Sequence, residues 1–372
     1  MKVLHTFRTY FPDPPGGIQE AIKQMCLATS LNGVTNSVYA LSPKPNPNRV
    51  QRPEGVVFRE KSWLAPASCD IGGFSSINTF RYHVFNTDLL HYHFPWPFAD
   101  VLHSLLSKKP PSIITYHSDI VRQKLLGFAY SPLMWSMLRS MDIIVATSPN
   151  YVVTSKVLSH PEIRNKVRVI PLGIDEKSYP LFGDDLIFEK LSLLSNEPYF
   201  LFIGVPRYYK GVHSLIRAAS LVNAKLVIAG SGGELEFLKN LVTELKLNNV
   251  IFSGFVTDSE KVSLIKRCVA LVLPSHLRSE AFGMVLVEAA MFSRPMISCE
   301  IGTGTTYVNI HEETGFVVSP EMPAELARAM NSLLRDEQMG KKLGLKARLR
   351  YEQLFSGIAL GEAYSDLYKE LM

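Results

Sequence analysis

Short apolar runs alternate along the chain with stretches whose apolar residues recur at helical spacing. In the first half, apolar runs flanked by turn residues predict the strands Val3–Phe7, Asn36–Leu41, Asp88–His91, Ser112–Tyr116 and Asp142–Thr147. A helix is predicted at Ile18–Leu31, and residues 42–55, rich in Pro and Asn, are predicted to form a loop. This alternation of strand, loop and helix is typical of a parallel sheet covered by helices on both faces.

The alternation starts again in the second half of the chain. Strands are predicted at Pro198–Ile203, Lys225–Ala229, Asn249–Phe252, Val269–Leu273 and Met296–Ser298. The chain ends in predicted helical segments at Glu325–Leu334, Glu337–Leu354 and Ile358–Leu371. Turn residues at 171–175 separate the two halves. The sequence therefore predicts an α/β protein with two Rossmann-like domains, and 372 residues are enough for a core in each.

Two carboxylates follow the predicted strand Val269–Leu273. Glu280 lies in the loop, and Glu288 lies eight residues later, within a helix predicted from Met284. Gly283 allows the backbone to approach a ligand, and the first amides of the helix suit an anionic group. The alternative is that both glutamates are solvated charges without a role in binding.

The segment E-A-F-G-M-V-L-V-E resembles the E-x7-E motif of retaining glycosyltransferases with the GT-B fold, the large family four. Further motifs of that family occur in order from Gly16 to Glu288. The resemblance implies two Rossmann-like domains facing a cleft. Residues 1–173 would bind the acceptor and residues 174–355 the nucleotide-sugar donor, and the last helix, within 356–372, would return to the first domain.

The resemblance also implies roles for individual residues. Glu288 would accept hydrogen bonds from the ribose, and Glu280 from hydroxyls of the transferred sugar. Arg207 and Lys210 would neutralise the departing diphosphate, since preplaced cations stabilise such charge. These cations are three residues apart, whereas many family members space them by five. Solvated surface charges are the alternative for this pair.

Other predicted binding positions lie in loops that follow strands. His117 matches a family histidine that contacts the donor sugar, with a purely structural histidine as the alternative. Gly16 and Gly17 match the family's glycine loop beside the diphosphate and acceptor, although an ordinary turn would also use them. The remaining positions, expected to hold the sugar or diphosphate, are Gly283, Met284, Thr303 and Gly304.

A metal is not expected at the predicted site. No aspartate pair of the D-x-D type stands at a strand end. His91 and His93 lie two residues apart, but no third ligand occurs at a suitable spacing, so a zinc site is rejected. With Trp96 they are interpreted instead as an aromatic wall on the acceptor side. Apart from the nucleotide-sugar substrate, no cofactor is expected.

Charge and composition suggest where the protein acts. Residues 1–173 contain 18 Lys and Arg against 10 Asp and Glu, whereas residues 174–372 contain 21 against 24. The basic first half suggests an anionic partner such as a membrane surface, a nucleic acid or a phosphorylated substrate. Residues 120–141 mix basic and bulky apolar side chains, which fits a membrane-surface segment or a core helix. Without a signal-peptide pattern at Met1, a cytoplasmic location is expected.

The segments 207–211 and 300–309 resemble bacterial mannosyltransferases of lipopolysaccharide O-antigen assembly. That resemblance implies GDP-mannose as donor, a lipid-linked glycan as acceptor, and peripheral contact with the cytoplasmic face of the inner membrane. A nucleic-acid partner is not expected. The alternatives are a UDP-sugar-dependent glycosyltransferase, a GT-B-like nucleotide-sugar epimerase and a non-catalytic sugar-nucleotide binding protein.

Overall fold

The computed structural model describes residues 1–13, 16–66, 69–120, 124–194 and 197–372, with the side chains of 124–129 excepted. The chain forms two compact units. The first contains Met1–Asp175 and Gly357–Met372, and the second contains Glu176–Ser356. The α/β class predicted from the alternating pattern is confirmed, because each unit is built around a largely parallel sheet.

The first unit contains strands β1 Lys2–Thr6, β2 Thr35–Ser42, β3 Arg49–Arg52, β4 Gly55–Leu64, β5 Ile71–Gly72, β6 Leu89–Phe94, β7 Ser112–Tyr116, β8 Ile143–Ala146 and β9 Val167–Val169. Its helices before the boundary are α1 Gly17–Ser30, α2 Phe74–Phe85, α3 Pro97–Ser104, α4 Lys124–Ser140 and α5 Pro149–Thr154. The sheet order is β3-β4-β2-β1-β6-β7-β8-β9, and β5 pairs with β4. Only β3 and β5 run antiparallel to their neighbour β4 within these described strands.

The second unit contains strands β10 Tyr199–Ile203, β11 Lys225–Ala229, β12 Val250–Gly254, β13 Ala270–Leu273, β14 Met296–Cys299 and β15 Gly315–Val318. Its helices are α6 Leu186–Lys190, α7 Val212–Ala219, α8 Leu235–Glu244, α9 Asp258–Arg267, α10 Met284–Met291, α11 Thr305–Val308, α12 Pro323–Arg335 and α13 Glu337–Arg350. The strands are parallel, in the order β12-β11-β10-β13-β14-β15. Because β10 lies between β11 and β13, the strand order reverses there, which is where such sheets bind ligands.

The chain ends in α14, Gly357–Glu370, which belongs to the first unit and packs on α1. Its buried Tyr364 and Tyr368 hydrogen-bond to Thr115 at 3.0 Å and His91 at 2.7 Å, respectively. The predicted return of the last helix to the first domain is therefore confirmed. No helix in the described part of the chain combines the length and apolar character needed to cross a membrane.

Two predictions for the first unit are wrong. Residues 42–55 are not a continuous loop, because Arg49–Arg52 forms β3 and β4 begins at Gly55. Since β3 pairs only with β4 at the sheet edge and its side chains are partly exposed, its sequence contains no apolar run. The strand predicted to end at His91 continues to Phe94, and all six residues of β6 are buried.

The contact between α1 and α14 leads to a stability prediction. A methyl group on Gly361 of α14 would stand 2.6 Å from the backbone oxygen of Ala28 in α1. Alanine is favoured over glycine within helices by about 1 kcal/mol, but forcing two packed helices apart costs about 1–3 kcal/mol. We therefore expect Gly361→Ala to lower the free energy of unfolding of the first unit.

The measurement is urea unfolding followed by tryptophan fluorescence, which reports on the first unit because it contains Trp63, Trp96 and Trp135. The matched control is Gly17→Ala in α1, where the added methyl group meets no atom within 4 Å. This control should leave stability unchanged or raise it by about 0.5–1 kcal/mol. An equal or higher unfolding midpoint for Gly361→Ala would contradict the packing argument.

Candidate functional site

Three loops of the second unit meet beyond the carboxyl ends of β10, β13 and β14. The Nζ atom of Lys210, after β10, lies 2.7 Å from Oε2 of Glu280, after β13. Ser275 Oγ lies 3.4 Å from the same carboxylate oxygen. From the loop after β14, Thr303 Oγ1 donates to the backbone oxygen of Glu280 at 2.8 Å. The structure therefore brings together three of the predicted site residues and adds Ser275.

Glycines allow these loops to approach one another. Gly211 has a φ of 67°, and a Cβ there would lie 2.1 Å from the backbone oxygen of Pro274. Gly304 donates its amide to Ala281 at 2.8 Å, and a Cβ on it would lie 2.9 Å from the same carbonyl oxygen. Gly283 begins α10 with a φ of 86°. Side chains at these positions would separate the loops that hold Lys210 and Glu280.

The Lys210–Glu280 pair is largely buried, with 15% and 13% of the side-chain surfaces exposed. Burial disfavours the ammonium charge of Lys210. The charge and hydrogen bond of Glu280, together with Tyr209, outweigh burial and raise the pKa of Lys210 above its usual value. Both contacts to the Glu280 carboxylate fall on Oε2, so Oε1 has no hydrogen-bond partner among the described residues. An ammonium has three donors, so Lys210 keeps capacity for a second acceptor.

Glu288 lies on α10 and has partners of its own. Its Oε1 accepts a hydrogen bond from the Tyr179 hydroxyl and lies 2.9 Å from Nζ of Lys261 on α9. Burial opposes the charge of Lys261, but Glu288 and Asp258 raise the pKa of this ammonium well above its usual range. Neither Tyr179 nor Lys261 was predicted from the sequence, because neither stands in a motif with Glu288. The second oxygen of Glu288 makes no hydrogen bond within the described residues.

The other predicted positions of this unit are less enclosed. Arg207 is exposed, three residues before Lys210, and the structure shows no contact between its side chain and Glu280. Met284 is the first residue of α10 and is partly exposed. No side chain caps the N-terminus of α10, because its N-cap residue is Gly283. The first backbone amides of the helix therefore have no side-chain acceptor at this position. Because Glu280 offsets the charge of Lys210, these amides and the exposed guanidinium of Arg207 are the sources of positive charge at this end of the sheet.

A depression at the opposite end of the sheet is not the candidate site. It lies beside the first residues of β10, β11 and β12 and is lined by Pro198, Lys225 and Asn249. Lys225 is paired with Glu197 at 3.7 Å, and the Asn249 amide donates to three backbone oxygens. The side chains of Lys225 and Asn249 are therefore already paired, and parallel sheets bind ligands at their carboxyl ends.

In the first unit, the predicted residues lie near the carboxyl ends of β1 and β7. Gly16 precedes α1 in an extended conformation, and Gly17 is its first residue. The preceding residues, Pro14 and Pro15, lie outside the described residues. His117 follows β7 and is 5% exposed. Its Nε2 lies 2.9 Å from Nδ1 of His93.

The prediction of an acceptor-side aromatic wall at His91 and His93 is wrong. Both lie on the same face of β6, where their rings stack 4.4 Å apart, and both are fully buried. They therefore cannot form an aromatic wall open to an acceptor. A third histidine, His5 of β1, also lies here, and the three offer ring nitrogens within 4.8 Å of one another. His5 was not predicted as part of this cluster, because its contact with His93 joins residues that are 88 positions apart in the sequence. A buried polar residue within an apolar strand was the available signal.

The predicted membrane-surface segment is described in part. Residues 121–123, including Arg122, lie outside the described residues, as do the side chains of 124–129. Within α4, Met137 is buried, whereas Arg139 is exposed and paired with Glu162 at 2.5 Å. Trp135 packs against His160 with ring centroids 4.6 Å apart. These contacts are typical of a helix packed on its own unit, and membrane contact stays a prediction.

Two family models and two relatives, all glycosyltransferases, together match nearly the whole chain. Residues 15–178 match the family model described as Glycosyltransferase Family 4, and residues 184–350 match the model described as Glycosyl transferases group 1. The chain is 44% identical over 356 residues to the D-rhamnosyltransferase WbpZ of Pseudomonas aeruginosa, covering 96% of this chain and 92% of that protein. It is 38% identical over 375 residues to the O-antigen chain mannosyltransferase C of Escherichia coli, covering 100% and 99%.

Solved structures show the same fold at lower identity. Sucrose-phosphate synthase from Thermosynechococcus elongatus aligns with a TM-score of 0.82 and 23% identity, over 100% of this chain and 98% of that one. Anabaena HepE, solved in complex with UDP, aligns with a TM-score of 0.81 and 18% identity over 100% of both chains. At such identities the likeness concerns the fold alone.

The buried histidines of the first unit lead to a prediction about pH. Burial lowers the pKa of His5 to about 4 and that of His117 to about 3, and it lowers the pKa of His91 and His93 well below the usual value. The unfolded chain binds these protons near pH 6.5, so below that pH the free energy of unfolding falls as the pH falls. Each histidine should therefore cost on the order of 1 kcal/mol of stability at pH 5.5.

The measurement is the urea midpoint of tryptophan fluorescence at pH 7.5 and pH 5.5. Asp100 acts in the opposite direction, because burial raises the pKa of its carboxyl to about 7 and the folded state then binds a proton first. It is one group against the four histidines and His103, whose pKa burial also lowers to about 4, so the midpoint should fall on acidification. A midpoint that is equal or higher at pH 5.5 would mean that the histidines are not buried in the neutral form.

Proposed function

The chain belongs to the GT-B glycosyltransferases of family four, and we propose that it moves a manno-configured hexose from a GDP-sugar to a lipid-linked glycan. The main support is the contact between Lys210 and Glu280 at the point where the strand order of the second unit reverses. The cation and the uncapped helix start there suit the diphosphate of a nucleotide-sugar. The carboxylate suits the hydroxyls of its sugar.

The proposed roles use the donors and acceptors of this site that remain available to a ligand. Oε1 of Glu280 accepts a hydrogen bond from a hydroxyl of the transferred sugar, while Ser275 and Lys210 hold Oε2. Lys210 and Arg207 neutralise the charge that develops on the departing diphosphate. Glu288 offers its second oxygen to the ribose, and the hydrogen bond from Lys261 holds this carboxylate in position.

The reaction is proposed to retain the configuration at the anomeric carbon, as the family resemblance implies. The departing phosphate oxygen then helps to remove the proton of the acceptor hydroxyl on the same face of the sugar. A separate base from the protein is not needed in this scheme, and neither is a metal or other cofactor. Thr303, Gly304 and the first amides of α10 at Gly283 and Met284 are proposed to hold the sugar and diphosphate.

The names of the two relatives support a choice between two related sugars. One is a D-rhamnosyltransferase and the other an O-antigen chain mannosyltransferase. D-rhamnose is mannose without the 6-hydroxyl, so a common pocket for the remaining hydroxyls would accept either. The acceptor is proposed to be a growing O-antigen glycan on a lipid carrier. The excess of basic residues in 1–173 supports peripheral contact of the first unit with the anionic cytoplasmic face of the membrane.

Removing the carboxylate of Glu280 tests the proposed site. We expect Glu280→Ala to reduce kcat by about 100- to 1,000-fold, because it removes a preplaced charge and releases Lys210 from its position. The assay mixes the protein with GDP-mannose and a lipid-linked acceptor and measures both GDP and the extended glycan. The matched control is Glu244→Ala at the exposed end of α8, which should retain full activity. Near-normal turnover of Glu280→Ala with an unchanged melting temperature would remove Glu280 from the site.

The donor is tested by binding. GDP should raise the melting temperature of the protein more than UDP at equal concentration, because a ligand that binds only the folded state stabilises it. Transfer assays with GDP-mannose and GDP-D-rhamnose then identify the sugar. A larger shift with UDP would favour a UDP-sugar-dependent transferase. Formation of a free epimer without any acceptor would favour the epimerase, and nucleotide binding without either product would favour a non-catalytic binding protein.

A further inference from the structure

A continuous line of hydrogen bonds runs through the core of the first unit and ends at His117. Nε2 of His5 lies 3.2 Å from Oδ1 of Asn36, and Nδ1 of His5 lies 3.1 Å from Nε2 of His93. Nδ1 of His93 lies 2.9 Å from Nε2 of His117. Asn36, His5 and His93 are each buried to at least 96%. Four residues from β1, β2, β6 and the loop after β7 are thereby joined in series.

The orientation of Asn36 sets the direction of this line. Its Nδ2 lies 2.9 Å from the backbone oxygen of Cys26, which can only accept a hydrogen bond. It also lies 3.0 Å from Thr29 Oγ1 and 3.1 Å from Ser30 Oγ, and both hydroxyls donate their protons to backbone oxygens of α1. The amide nitrogen of Asn36 must therefore face α1, which leaves its oxygen facing His5.

With Asn36 as acceptor, each later proton is fixed in turn. His5 donates from Nε2, so its Nδ1 carries the lone pair and accepts from Nε2–H of His93. Nδ1 of His93 then accepts from Nε2–H of His117. This holds only if each ring is neutral, with one proton. Burial lowers the pKa of all three histidines far enough to ensure that at neutral pH.

We propose that Asn36, His5 and His93 are positioning residues that hold His117 in the tautomer with its proton on Nε2. In that tautomer Nδ1 of His117 is an acceptor, and it has no hydrogen-bond partner among the described residues. It accepts a hydrogen bond from a hydroxyl group of the bound sugar, of either donor or acceptor. The identity of this ligand rests on the proposed function, whereas the tautomer does not.

The fixed tautomer limits what His117 does in the reaction. A neutral ring whose N–H is used internally has no proton to give to a departing phosphate. Since the pKa of the ring is lowered to about 3, it is also a weak base at neutral pH. Its role is therefore orientation of a hydroxyl, and a ligand that lacks this hydroxyl would leave a buried acceptor unpaired.

A metal ion is the rival explanation for the cluster, since His5, His91 and His93 offer nitrogens within 4.8 Å of one another. Binding would require a lone pair from each ring. Both nitrogens of His91 already lie 2.7 Å from hydroxyls, those of Tyr368 and Thr115. Both nitrogens of His93 are used in the line described above. A metal would have to break several of these bonds, so we favour the hydrogen-bonded arrangement.

The test is long-range 1H–15N NMR of the full-length protein labelled at histidine, at pH 7.5, because the 15N shift distinguishes a protonated ring nitrogen from a bare one. The His117 signals are assigned by their loss in His117→Gln. We expect the proton on Nε2 and a bare Nδ1. A proton on Nδ1, or averaging of the two tautomers, would overturn the proposal, and so would stoichiometric zinc in the purified protein.

Variants of β6 then separate positioning from simple packing. His93→Phe keeps a ring of similar size but removes both nitrogens, so the His117 signals should move towards a mixture of tautomers. His91→Phe, on the same face and equally buried, lies outside the line and should leave the His117 tautomer unchanged. Equal effects of the two variants on His117 would reject the series Asn36–His5–His93.

Activity provides an independent readout. His93→Phe should lose about ten-fold in kcat/KM, the cost of one misplaced hydrogen bond, and His93→Gln should recover part of the loss because it keeps one donor and one acceptor. A rise in KM for the nucleotide-sugar would place the hydroxyl on the donor, and a rise in KM for the glycan would place it on the acceptor. If the NMR result holds but no sugar is transferred by the wild-type protein, the proposed function fails and the tautomer assignment stands.

Discussion

The site of the second unit depends on β13 lying beside β10. The chain leaves β10, forms β11 and β12 on one side, and then crosses to the other side to form β13. Right-handed connections place the two crossovers on opposite faces of the sheet, so a crevice opens between the loops at its carboxyl edge. Lys210 and Glu280 are 70 residues apart in sequence and meet in that crevice. The strand order brings the loops of this cation and this carboxylate to the same edge, and the glycines of those loops allow them to make contact.

The pairing of Lys210 with Glu280 has consequences for both stability and binding. A largely buried ammonium without a partner would be costly, so Glu280 allows Lys210 to keep its charge inside the loop cluster. The pair is electrically neutral, which leaves the exposed Arg207 and the start of α10 as the sources of positive potential. An incoming diphosphate would meet these first, and Lys210 would then share its remaining protons with the phosphate oxygens.

The strand order of the first unit also reverses, and there the reversal produces a buried layer of polar side chains. β1 lies between β2 and β6, so residues from three neighbouring strands are brought into one buried layer. Here the layer is made of His5, His91 and His93 rather than apolar side chains alone, and every ring nitrogen of these three has a partner. Tyr368 of α14 supplies one of those partners, which ties the end of the chain to the core of this unit.

The sequence by itself determined the α/β class and the two-fold repetition of the alternating pattern, because periodicity is a local property of the chain. The order of its motifs indicated the family, and the return of the last helix was implied only by that resemblance. It also singled out Lys210, Glu280 and Thr303. Only the tertiary structure decided that Glu288 pairs with Lys261 and that His5 joins His93, since contacts between distant segments follow from strand order and helix packing. Neither strand order nor helix packing can be read from the spacing of residues along a single helix or strand.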